Sequence, residues 1–175
     1  MHRMLVGGRA PVIALLSAAL LSIAPANAAE PAGARAFLQR VYSHYPMPRG
    51  GAPFDPTGRS AAAVFDAGMI ALIREDRRLA KGEVGAIDSD PLCQCQDDGG
   101  MKVEIGPAKP VGSTSATAAV VLRFGAASPP DIQRVEFSLV AVNGQWRIHD
   151  IKSTDTPSLR AYLTKANHDH AHGKW

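Results

Sequence analysis

The stretch Arg134 to Lys152, RVEFSLVAVNGQWRIHDIK, allows few folds. Two runs rich in β-branched and aromatic residues flank Asn143-Gly144, a pair suited to the positive φ angles of a two-residue hairpin turn. Such a turn sets the register. It predicts Val142 opposite Gln145, Ala141 opposite Trp146, Leu139 opposite Ile148 and Phe137 opposite Asp150. Side chains alternate between the two faces of a strand. Val135, Phe137, Leu139 and Ala141 then share one face with Trp146 and Ile148, and that face has to be covered. The same count puts Asp150 on the apolar face and predicts a shielded carboxylate.

Helices upstream supply the cover. From Ala32 to Tyr45, Phe37, Val41 and Tyr45 recur every four residues with Leu38 and Tyr42 beside them, an amphipathic stripe that Pro46 and Pro48 end. A Pro/Gly-rich loop follows. Ser60 is placed to cap a second helix running to about Lys81, with Val64, Phe65, Gly68, Met69, Leu72 and Ile73 on its buried face. Gly68 inside that helix suggests close approach to the sheet. The charged run from Arg74 to Arg78 reads as a wet helix surface. Strand patterns recur at Met101 to Ile105 and at Ala118 to Phe124. Thr156-Pro157 opens a short last helix packed by Leu159, Tyr162 and Leu163. Helices followed by an antiparallel meander predict an α+β fold: N-terminal helices on a curved four-stranded antiparallel sheet, with a short C-terminal helix.

The first 28 residues read as an export signal. Arg3 and Arg9 precede the apolar run Pro11 to Ile23, and Ala26-Asn27-Ala28 is a small-x-small cleavage site. The run is too short for a membrane span, which needs about 20 residues. No cysteine follows the site, which argues against a lipid anchor. The expected organisation is a signal peptide over 1–28, one domain over 29–166 and a His-rich flexible tail over 167–175, in the periplasm. Of 19 Lys and Arg, two fall in the signal, leaving 17 against 16 Asp and Glu. A near-neutral domain without a basic stripe argues against nucleic acid as a partner.

Several residues together resemble one family pattern: Asp88-Ser89-Asp90-Pro91-Leu92, Gln96-Asp97, Trp146-Arg147-Ile148-His149-Asp150-Ile151 and Ser158-Leu159-Arg160. The set resembles the secreted bacterial family known as domain of unknown function 3828, from the second helix to the last. The resemblance implies an exported α+β domain and no particular activity. The element order is similar in architecture to nuclear-transport-factor-2-like and cystatin-like cones, which leaves function open. The chain departs from the family pattern at Cys93, Cys95 and its His-rich end.

Four places could carry chemistry. Asp88, Asp90, Asp97 and Asp98, with Gln96, form an acidic loop that suits a hard cation or mutual pKa perturbation, or else ordinary turn formation. Its spacing is not that of an EF-hand. Cys93-Gln94-Cys95 reads as a local disulfide, with a redox dithiol or a soft-metal site as alternatives. His168, His170 and His172 suit weak binding of Cu(II), Ni(II) or Zn(II), or form a solubilising tail. Asp150 and Trp146 would face the cone, unless a bulge near His149 turns Asp150 away.

The leading expectation is a non-enzymatic exported domain that holds a protein partner or small ligand at the mouth of the cone, with Asp90, Gln96, Asp97, Trp146 and Asp150 as contacts. It has no resident cofactor and no membrane span once the signal is removed. One alternative is a cone-fold enzyme using Asp150 or Asp90 as general acid/base. The other is a periplasmic metal-binding protein using Cys93, Cys95 and the His tail.

Overall fold

A computed structural model describes residues 31–45, 54–97, 100–125 and 131–174. The export signal expected over 1–28 lies outside them, as do Asp98 and most of the Pro/Gly loop. The elements run α1 (Ala34–Tyr42), α2 (Ala61–Val64), α3 (Ala67–Ala80), β1 (Lys102–Ile105), β2 (Lys109–Gly112), β3 (Ser115–Phe124), β4 (Asp131–Val142), β5 (Gln145–Lys152) and α4 (Leu159–Ala171). The class is α+β. The antiparallel sheet has five strands in place of the four expected, ordered β1-β3-β4-β5, with β2 also paired to β3.

The hairpin sets this sheet. Asn143 and Gly144 both take positive φ, 50° and 74°, as the turn requires. Next to the turn the pairing is the one expected: Val142 with Gln145, Ala141 with Trp146, Leu139 with Ile148. The register then slips between Ser138 and Leu139. Asp150 pairs with Ser138, and Phe137 pairs with Ile151. A bulge at His149 inserts one residue and shifts everything after it. The position opposite Phe137 thus belongs to Ile151, which is 1% exposed; the simple two-residue register, with Asp150 on the apolar row, is corrected, and the alternative of a bulge near His149 is the one observed.

One face of the sheet carries the core. Ala116, Ala118, Val120 and Leu122 of β3 lie beside Val135, Phe137 and Leu139 of β4 and Ile148 and Ile151 of β5, all buried. The α1 stripe of Phe37, Leu38, Val41 and Tyr42 joins the same cluster. Tyr42 meets Phe137 edge to face at 6.1 Å, a favourable aromatic geometry.

The second helix departs from its expected course. Phe65 and Asp66 are extended, so α2 ends after one turn and α3 starts afresh. The Asp66 carboxylate accepts from Met69 N at 2.7 Å, an N-cap. Asp66 N donates to Ile148 O at 3.0 Å. The two extended residues thus give the open edge of β5 a partner. Gly68 does not approach the sheet; a Cβ there would lie 2.7 Å from the Arg160 guanidinium of α4.

Beyond α3, buried Asp76 accepts from Ala86 N and Ile87 N. Gly85 passes so close that a Cβ would sit 2.4 Å from that carboxylate, which leaves room only for glycine. The last helix begins at Leu159, capped by Ser158 and not by Thr156, and continues to Ala171. Its length corrects the expectation of a flexible tail from residue 167. Asn167 Nδ2 donates to Leu72 O and fixes α4 against α3.

Candidate functional site

A cavity of about 850 Å³ opens between α1, the segment 54–60, α2 and the start of β5. Its volume falls in the range of small-molecule sites, about 300–1,000 Å³. Phe37 and Val41 reach it from the buried stripe of α1, Val64 from α2 and Leu92 from the loop before β1. Arg40 and His44 come from the solvated flank of α1. Asp55, Gln145, Trp146 and Arg147 complete the polar rim.

Each polar group is placed by local structure. Trp146 Nε1 donates to Ala32 O at 3.0 Å, so the indole closes the start of α1. Arg147 donates to Ala62 O, Trp146 O and Gln145 Oε1 at 2.7–2.8 Å. Asp55 accepts from Thr57 N and Thr57 Oγ1. The Thr57 hydroxyl and amide hold the Asp55 carboxyl below its ordinary pKa, against slight desolvation.

Behind the cavity wall lies Asp90, 8% exposed. The hydroxyl of Tyr45, a residue of the cavity lining, donates to Asp90 Oδ2, and Leu92 N donates to Oδ1 at 2.8 Å. Burial pushes the Asp90 carboxyl up, and the hydrogen bonds from Tyr45 and the Leu92 and Cys93 amides offset this only in part. Tyr42 donates to Leu92 O at 2.6 Å, and burial, then the Asp90 charge, raises its hydroxyl well above the ordinary value. Cys93 and Cys95 are joined by a disulfide, with Gln94 between them at φ 55°. Asp90 N donates to Cys95 O, which closes the turn around this ring.

Ionised Asp90 is a cost to the fold. Its folded pKa is raised, so the folded state holds the proton over a window where the unfolded chain has lost it. Stability should therefore fall as pH rises from about 3.9 through the raised value. In urea unfolding, the stability of the native protein minus that of Asp90→Asn is expected to decline across that window and then level off. A difference that is flat, or that rises, would remove the burial argument.

The five expected contacts do not converge. Trp146 lies on the cavity rim, and Asp90 sits behind it. Gln96 and Asp97 are exposed and outside the lining. Asp150 works elsewhere: Oδ2 accepts from Ser158 Oγ at 2.6 Å, and Oδ1 accepts from Arg160 N at 2.9 Å and Ile151 N at 2.8 Å. It caps α4, and its donors are not those of the acidic loop. Arg160 Nη2 and His149 Nδ1 meet the two oxygens of Asp66 at 2.7 and 2.6 Å. Desolvation raises Asp66, but the Met69 amide, His149 and Arg160 outweigh it and leave the carboxyl below its ordinary value.

The three tail histidines are dispersed by helix geometry. His168 and His172, one turn apart, stack at 4.3 Å. His170 is two residues from each, about 200° around the axis. Among the described residues, no three His, Cys, Asp or Glu side chains are placed to hold a metal ion.

Most of the cavity residues escaped sequence reasoning. Arg40, His44 and Arg147 look like surface charges until three separate segments meet. The signal that could have found them is position. Arg40 and His44 follow the α1 stripe at a spacing of four, and Arg147 adjoins Trp146.

No family model matches the chain. It is similar to the protein named "Uncharacterized protein YqhG" of Escherichia coli (strain K12), 28% identical over 124 residues. The match covers 71% of this chain and 40% of that protein, so the chain spans less than half the length of this relative. No helix among the described residues is long and apolar enough to cross a membrane.

Proposed function

We propose that this chain is an exported binding domain that holds a small ligand in the cavity between α1, α2 and β5. The single observation that carries the reading is a cavity with apolar side chains on its wall and fixed polar groups on its rim. Ligand sites have that composition. Export is supported by the charged, apolar and small-residue segments over 1–28. The nuclear-transport-factor-2-like or cystatin-like architecture and the resemblance to domain of unknown function 3828 fit an exported α+β domain and do not name a ligand.

The test uses protein secreted from a bacterial host. Its mass should place the N-terminus at Ala29; retention of Met1 would sink the export proposal. Titration with the neutral fluorophore N-phenyl-1-naphthylamine should show saturable binding. Ala63→Trp, which fills the cavity from an exposed position on α2, should abolish it without shifting the unfolding transition. Binding that survives Ala63→Trp, or failure of both this dye and its sulfonated counterpart to bind, would sink the cavity reading.

A second reading keeps an enzyme in view through Asp90. The buried carboxyl with raised pKa accepts from the hydroxyl of Tyr45, a residue of the cavity lining. That arrangement suits a proton relay to a bound substrate. Asp150, committed to α4, has no part in it.

A further inference from the structure

Resting on the cavity as a binding site, the geometry points to its ligand class: an amphipathic organic anion, an apolar body carrying a carboxylate, sulfonate or phosphate group. Two guanidinium groups, Arg40 and Arg147, line the cavity against one carboxylate, Asp55. Arg147 is fixed by three oxygens, from Ala62, Trp146 and Gln145, and all three belong to uncharged groups. Its charge is held in place and not neutralised. A guanidinium has five N–H donors. Nε, Nη1 and Nη2 each use one on these oxygens, so two N–H groups remain for a ligand.

Arg40 is exposed on α1, and among the described residues its side chain has no hydrogen bond or ion pair. The Asp55 carboxylate is turned to its own loop by Thr57. Among the lining residues the guanidinium groups therefore outnumber the carboxylate two to one. A cationic ligand would meet two like charges. A wholly apolar ligand would take water from Arg147 and give it no partner, which is costly. A small hydrophilic anion would leave the half-buried rings of Phe54 and Trp146, which line the cavity, uncovered. An amphipathic anion satisfies both parts, since a planar, immobilised guanidinium suits the paired oxygens of such a head group.

A matched pair of fluorophores separates this inference from the cavity reading. N-phenyl-1-naphthylamine and 8-anilinonaphthalene-1-sulfonate share an aromatic body and differ by the sulfonate. Arg40→Gln and Arg147→Gln should each weaken the sulfonate by about fivefold or more while leaving the neutral dye within about twofold, the signature of a charge contact. Arg147→Lys, which keeps the charge without the fork, should recover part of the loss. Arg40→Gln carries the test even where Arg147→Gln perturbs β5, because among the described residues the Arg40 side chain holds no other group. Equal losses for both dyes, or no loss for the sulfonate, would overturn the anion inference and leave the cavity standing. Failure of both dyes to bind the native protein would overturn the cavity reading itself, and the inference with it.

Discussion

Alanine in place of Phe137 is expected to destabilise the protein by about 3–5 kcal/mol, the range for deleting a large buried aromatic and leaving a void. The ring is 0% exposed at the centre of β4. It lies between Ala118 of β3 and Ile151 of β5 in the ladder. Tyr42 packs against it edge to face, and the Tyr42 hydroxyl in turn holds Leu92 O. The neighbours that could collapse into the void are thus tied by backbone pairing or by a buried hydrogen bond. Relaxation is limited, which places the cost high in the range. Urea unfolding with an unchanged m value would measure it. A loss below about 1 kcal/mol, the scale of an ordinary surface change, would show that the sheet face is not the core.

The second large effect is expected at Asp150. Its carboxylate accepts from Ser158 Oγ, Arg160 N and Ile151 N. Arg160 N belongs to the first turn of α4, where backbone amides lack helical partners and favour a negative charge, and Ser158 Oγ belongs to its N-cap. Asp150→Ala should cost about 2–3 kcal/mol, above a single helix cap at about 1 kcal/mol, because several half-buried donors are left open. Asp150→Asn keeps one acceptor oxygen and should cost less. Ser158→Ala combined with Asp150→Ala should be less than additive, because the two side chains bond each other. Unchanged stability in Asp150→Ala, read by denaturant unfolding, would place the carboxylate in water.

The same residue shows where a sequence can be read and where it cannot. The Asn143-Gly144 turn specified β4 and β5 and their first pairs, because turn type fixes register locally. The turn alone did not decide the slip at His149, which the sequence offered only as the alternative to a carboxylate on the apolar row. There the His149 carbonyl accepts from the Arg160 guanidinium and its ring meets Asp66, groups from α4 and from the start of α3. No local pattern encodes partners that distant. The break at Phe65-Asp66 was hidden in the same way, since the apolar spacing continues across it and the reason for it is the edge of β5. Strand β2, Lys109–Gly112, is exposed throughout and contains Pro110, so it shows neither alternation nor β propensity. Proline is tolerated there because β2 pairs with β3 alone. The disulfide was read from composition and compartment. The cavity was not, because it is assembled from α1, α2 and β5 and no stretch of chain contains it.

The stitching of the first helices to the last strand has a consequence for the order of events in synthesis. Ala32 O waits for Trp146, Ala62 O for Arg147, Asp66 N for Ile148 and the Asp66 carboxylate for Arg160. None of these partners exists until more than four-fifths of the chain has left the ribosome. Closing such long loops is entropically expensive and slow. The nascent N-terminal segments can meet β1 early, as Arg35 does through Ile105 O, but these ties to β5 and α4 close only when the last strand arrives. Under the export proposed above, late closure has a use, because an unfolded chain is what a translocation pore accepts.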